Sequence, residues 1–231
     1  DDLSVSFHGS KIELNESIIK GASAKFNHFS DNYGSSENRF YIKPSFELNI
    51  SDKLVKTNVI VDYLAGSFEK NYSNTNSIKY GFVNFGIAPS FVMQEDDWTV
   101  NIGAGLFYSL GTENNSNKFF VYPQINASLK VVGDLMIFYA GAEGNLEQNT
   151  YSDFVNQNHF LSPTLDIKPT DKQFDVFAGL KGKLTNTVSY NLRASYLNER
   201  DKALFKSNDY NEDSTNENYA FGNSMQVVYD D

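Results

Sequence analysis

The chain has no cysteine, a single tryptophan and five prolines in 231 residues. Without cysteine there is neither a disulfide framework nor a thiolate metal or redox site. No apolar stretch approaches the roughly 18 residues that a membrane-spanning helix needs. The opening residues, Asp1 to Phe7, carry no basic region and no apolar core, so they do not read as a signal peptide. A secreted chain loses its signal, so this does not point to the cytoplasm. Basic charge is also scarce: 19 Lys and Arg stand against 29 Asp and Glu, a formal net charge of -10, which argues against nucleic acid as a partner.

Aromatic residues are abundant. Nineteen Phe and 14 Tyr bring the aromatic share to 15%, a bias toward pleated structure. The hydrophobic pattern has a period of two almost throughout. Between Phe119 and Val131 the odd positions read Phe119, Val121, Pro123, Ile125, Ala127, Leu129 and Val131. The even ones run from Phe120 and Tyr122 through Gln124, Asn126, Ser128 and Lys130. Successive strand side chains point to opposite faces, so this is a two-faced strand. Trp98, Val100, Ile102, Ala104, Leu106 and Tyr108 alternate in the same way with Thr99, Asn101, Gly103, Gly105 and Phe107. Phe40, Ile42, Pro44, Phe46, Leu48 and Ile50 alternate with Arg39, Tyr41, Lys43, Ser45, Glu47 and Asn49.

The pattern predicts about eleven strands in one domain over 1–231: 3–12, 17–29, 38–50, 54–68, 78–93, 98–110, 118–131, 135–147, 173–184, 188–199 and 219–229. Short turns fall near Ser51–Lys53, Glu95–Asp97, Gly133–Asp134 and Thr185–Thr187. Longer polar loops, 30–37, 69–77, 111–117, 148–172 and 200–218, alternate with them. Short turns on one rim and long loops on the other is the arrangement of an outer-membrane barrel. Most of these segments exceed the ~5–6 residues of a soluble strand and reach the ~9–11 that cross a bilayer. The expectation is an all-β, antiparallel, up-and-down transmembrane β-barrel. Its odd strand count suggests part of a larger, even-stranded barrel.

In such a barrel the apolar faces meet lipid and the polar faces line the lumen. Lys43, Glu47, Asp62, Lys130, Glu143, Glu147, Lys181, Lys183 and Arg193 are then lumen-facing charges. They either set solute selectivity or form a salt-bridged ladder that fills the interior. Trp98, Tyr108, Phe119, Tyr190, Tyr196, Tyr219 and Tyr229 lie near the ends of apolar faces, where amphipathic rings form interfacial girdles. Gly103, Gly105 and Gly179 on polar faces suit a crowded interior or close backbone approach.

Several strings, in order, resemble TonB-dependent-receptor-like barrels of Bacteroidota. They are Phe40-Tyr41-Ile42-Lys43-Pro44, Asp62-Tyr63-Leu64-Ala65-Gly66-Ser67-Phe68, Tyr139-Ala140-Gly141-Ala142-Glu143-Gly144, Phe160-Leu161-Ser162-Pro163-Thr164, Lys168-Pro169-Thr170-Asp171 and Val227-Val228-Tyr229-Asp230-Asp231. The resemblance implies an outer-membrane barrel, with a signal peptide before this segment and more strands after it. A TonB box and a plug domain are not recognisable here, so neither energy-coupled uptake nor ligand-binding residues carry over.

Chemistry-bearing motifs are sparse. His8, His28 and His159 are scattered, and a histidine pair without an acidic cluster is a poor metal site. Asp209, Asn211 and Asp213 open like a calcium loop, but Ser214 and Ala220 stand where Gly and Glu are required. Glu95, Asp96 and Asp97 suit a tight turn. No Gly-x-Ser-x-Gly elbow occurs, and the sequence predicts no enzyme, no cofactor and no metal. Asn-x-Ser matches at Asn15, Asn49, Asn71 and Asn126 read as chance in an Asn- and Ser-rich chain. The functional expectation is a pore or receptor barrel for solutes. The alternative is a non-transporting structural or accessory subunit of a larger complex. Expected partners are outer-membrane lipid and other outer-membrane or lipoprotein subunits.

Overall fold

A computed structural model describes residues 3–8, 12–13, 18–50, 53–72, 76–113, 116–208 and 224–230. Its strands are β1 (Leu3–His8), β2 (Ile12–Glu13), β3 (Ile19–Ser30), β4 (Ser36–Ile50), β5 (Lys53–Phe68), β6 (Ile78–Gln94), β7 (Trp98–Gly111), β8 (Asn117–Val132), β9 (Met136–Glu147), β10 (Thr170–Lys183), β11 (Ser189–Arg200), β12 (Lys202–Ser207) and β13 (Met225–Asp230). One helix, α1 (Tyr151–Gln157), lies between β9 and β10. A single antiparallel sheet runs β1-β3-β4-β5-β6-β7-β8-β9-β10-β11, with β2 also on β3; β12 and β13 pair separately. From β3 to β11 each strand lies beside its sequence neighbour, which makes an up-and-down meander. Among the described residues β1 and β11 end the order and do not pair with one another.

The short turns have local causes. Gly133 takes φ 48, a left-handed conformation that costs glycine nothing, and Leu135 N donates to Val132 O at 2.9 Å. The Thr185 hydroxyl accepts from the amides of Thr187 and Val188. The carboxylate run Glu95–Asp97 makes the β6–β7 turn, closed by Glu95 N donating to Trp98 O at 2.9 Å.

The sheet is curled. β6 and β9 are three ladder steps apart, about 14 Å on a flat sheet. Yet Asn84 on β6 donates at 2.8 Å to Gln148, one residue beyond β9. Lys118 on β8 likewise reaches Asp201, just past β11, at 3.5 Å. The polar side chains and the buried aromatic ones share the concave face, and the exposed apolar side chains stand on the convex face. The cross-strand row Trp98, Leu129, Phe138, Leu180 and Leu192 is 38%, 45%, 42%, 36% and 66% exposed. On the concave face Asp62, Asn84 and Ser109 form a buried row across β5, β6 and β7.

The apolar core sits at the long-loop end of the concave side. Phe29, Leu64, Phe68, Tyr80 and Phe82 from β3, β5 and β6 pack against Tyr151 and Phe154 of α1, Leu165, Ile167 and Val227 of β13. Burying each such side chain stabilises by roughly 1.5–3 kcal/mol, and this fastens the β9–β10 connection across the sheet.

Three expectations change. The first strand, 3–12, is split into β1 and β2. The 148–172 region is not a plain loop: it carries α1, and β10 begins at Thr170. The last strand does not extend the sheet; β13 pairs with β12, which forms inside the expected 200–218 loop. Asp201, at φ 50, turns the chain between β11 and β12.

Candidate functional site: the concave face and the segment across it

The centre of the site is Glu37, at the start of β4 and only 3% exposed. Its carboxylate accepts from Tyr80 Oη at 2.8 Å, from the Tyr151 amide at 2.7 Å and from the Ser152 amide at 3.1 Å. One carboxylate thus ties β4 and β6 to the first turn of α1. Thr150 caps the same turn, its hydroxyl accepting from Asp153 N. Beside it Arg39 grips Asp62 of β5 in a two-pronged pair, Nε to Oδ1 at 2.9 Å and Nη2 to Oδ2 at 2.7 Å, and lies 3.8 Å from Asp153. Tyr151 Oη donates to Asp31 at 2.8 Å.

The rest of the crossing segment is fastened residue by residue. Asn149 Nδ2 donates to Lys168 O and Thr170 Oγ1. Gln226 of β13 donates to Thr164 at 2.6 Å. Tyr229 Oη donates to Asp166 O at 3.0 Å and accepts from Lys168 N at 2.9 Å, and burial pushes its phenol pKa up.

The sequence-predicted charges fall on the concave face of their strands and divide into two groups. Asp62 pairs with Arg39, Glu47 with Lys56 at 3.1 Å, Glu147 with Lys172, and Arg193 with Asp175 at 2.7 Å while lying 4.0 Å from the Phe177 ring centroid. Lys181 lies 5.5 Å from the Tyr139 ring centroid. Glu143 lines a recess of about 340 Å³ with Gln124, Lys172 and Asp175. Lys43 is half-buried on β4, and Lys130 and Lys183 are exposed near the short turns. The first group is a ladder of paired charge, the pattern of an interior held in shape.

Rings fill the concave face over glycines. A Cβ on Gly86 would stand 2.5 Å from Cε1 of Phe107, and Gly179 leaves the same kind of space for Tyr139.

Of the predicted girdle residues, Trp98, Tyr108, Phe119 and Tyr196 are 38%, 41%, 63% and 66% exposed on the convex face. Tyr190 is half-buried, its hydroxyl on Leu135 O. Tyr229 lies outside the main sheet on β13. Tyr219 and the Asp209–Asp213 motif fall outside the described residues, as does the side chain of His8. His28 contacts Asn38 at 2.9 Å, and the described residues hold no metal-binding cluster of His and acidic groups.

Glu37, Tyr80, Asn84, Gln148 and Tyr151 were not among the predicted site residues. Glu37 was readable in principle, since it continues the Arg39–Tyr41–Lys43 face by two residues. The partnership with Tyr151 spans 114 residues and has no local signal. No protein-family model and no curated protein matches the chain.

Proposed function

We propose that this sheet is wall of a bacterial outer-membrane β-barrel of the TonB-dependent-receptor-like kind, a pore or receptor for solute passage. The supporting observation is the inverted distribution of side chains. Exposed apolar residues run across the convex face in cross-strand rows, while the concave one carries ion pairs and amides beside the buried core at its long-loop end. A water-soluble sandwich places its apolar faces against each other; a barrel turns them to lipid. Exposed apolar surface on this scale needs an apolar medium or a partner. Strands of 12–17 residues from β3 to β11 are long enough to cross a hydrocarbon layer, for which about 9–11 tilted residues suffice.

A second reading, a non-transporting structural or accessory barrel, is favoured by one observation. The segment from Gln148 to Pro169 is packed against the concave face by a core and by Glu37. Planar-bilayer recording separates the two. A transport role predicts steps of conductance that grow when the Gln148–Pro169 segment is released by Glu37→Ala. Silence in both proteins, with heat-modifiable gel mobility showing that each is folded, supports the accessory reading.

A further inference from the structure

The wall carries a seam at its long-loop end. β8 pairs with β7 along its length from Asn117 to Leu129, but its ladder to β9 begins only at Gln124. Even-numbered residues of β8 aim main-chain groups at β7: Lys130 N donates to Asp97 O at 2.7 Å and Ser116 O accepts from Gly111 N at 2.9 Å. Odd-numbered residues therefore aim theirs at β9. Pro123, the first residue past the ladder, has no N–H to offer there. Beyond it the main-chain groups of Val121 and Phe119 have no strand partner among the described residues.

Among the described residues, side chains bridge the gap. Gln124 Nε2 donates to Gly144 O at 2.6 Å, Tyr122 Oη to Asp171 Oδ1 at 2.8 Å, and Lys118 lies 3.5 Å from Asp201. A cavity of about 460 Å³ opens at the seam. Its lining includes Phe119 and Val121 from the convex face as well as Phe120 and Tyr122 from the concave one, which a fully laddered strand would not permit. The volume falls within the ~300–1,000 Å³ usual for small-molecule sites. Its chemistry is two-ended. Phe119 and Val121, 63% and 61% exposed, form an apolar lip. The polar end holds Gln173 at the β10 bulge, Arg200, which makes no ion pair among the described residues, and Lys118, together with Asp171, opposite Arg200, and Asp201, whose carboxylates are engaged by Tyr122 and Lys118.

We propose that the seam between β8 and β9 is a lateral site for a single-chain amphiphile. The chain lies along Phe119 and Val121, and a small anionic head, carboxylate or phosphate, meets Arg200 and Gln173. This rests on the membrane-barrel reading above. It adds a route between the concave interior and the surrounding lipid, opened by parting the side-chain stitches rather than a β-ladder.

The test uses the full chain in lipid nanodiscs with a dansyl-labelled undecanoic acid, displaced by dodecyl phosphate, dodecanol or inorganic phosphate. Saturable binding is expected, displaced best by dodecyl phosphate, weakly by dodecanol and not by inorganic phosphate. Arg200→Gln is expected to weaken dodecyl phosphate by roughly tenfold or more. Val121→Glu, which adds charge at the apolar lip, is expected to weaken it similarly. Both sites are exposed, so both variants should fold. Equal displacement by inorganic phosphate, or unchanged affinity in Arg200→Gln, overturns the proposal. A chain that enters nanodiscs yet binds no probe overturns the seam site alone; a chain that does not enter them overturns the membrane reading with it.

Discussion

Glu37 and Tyr151, 114 residues apart, are joined by a buried hydrogen bond of 2.7 Å from the amide of the first residue of α1 to the carboxylate at the start of β4. The bond fixes the crossing segment to the far side of the curled sheet. Tyr80 and Ser152 share the same acceptor. Glu37→Ala removes the carboxylate that accepts from three buried donors, at roughly 1–3 kcal/mol for each hydrogen bond not replaced. Proteolysis within the Gln148–Pro169 segment is expected to accelerate by well over tenfold, while the sheet stays protected. Equal cleavage rates in variant and parent would show that the core alone holds the segment.

Arg39 and Asp62 give a sharper energetic prediction. Asp62 is 6% exposed and forms an ion pair with Arg39. Arg39→Ala strands a buried carboxylate and should cost about 3–5 kcal/mol. Arg39→Leu with Asp62→Leu should recover most of that, because paired replacement by apolar residues is often near neutral. Urea midpoints of refolded protein in detergent measure both. A double variant no better than Arg39→Ala would mean that the pair does more than neutralise itself.

Glycine under a ring is the third target. Gly86→Ala pushes a methyl against Phe107, and overpacking of this kind costs about 1–3 kcal/mol. Pairing it with Phe107→Leu should return stability, read as a shift in the heat-modification temperature on gels. No rescue would place the cost in the main chain rather than in the ring contact.

Face inversion is tested by charge. Ile102→Arg, on the convex face in line with Phe91 and Ile125 and away from the strand ends, should destabilise by about 2–4 kcal/mol in lipid. Ser128→Arg, a cross-strand neighbour of Tyr139 on the concave face, should cost far less. Refolding yield into vesicles compares them. Equal costs would contradict an apolar medium on the convex side.

Much of the sheet could be read from the sequence because alternation is local. The Trp98–Tyr108 and Phe119–Val131 patterns need no tertiary knowledge, and β7 and β8 formed where expected. Which face turns outward was not legible: the same alternation suits a sandwich, and the curvature and exposure that bear on it are properties of the folded sheet. What escaped was non-local. α1 is seven residues long and depends on Glu37 and the core, so its own sequence offers little periodicity to recognise. β12, with only Ala203, Leu204 and Phe205 between two lysines, is too short for its alternation to stand out, and becomes a strand because β13 pairs with it. The seam at Pro123 carried one visible sign, a proline inside a long strand pattern, a position that demotes a ladder on one edge.

Trp98 offers the most direct test of the whole account. It is the single tryptophan in the chain and stands on the convex face at the start of β7, beside Leu129. With protein folded into vesicles, brominated lipid is expected to quench its fluorescence strongly and aqueous iodide only weakly. Strong iodide quenching with no effect of brominated lipid, from protein that stays monomeric in buffer without detergent, would contradict the claim that the convex face meets lipid.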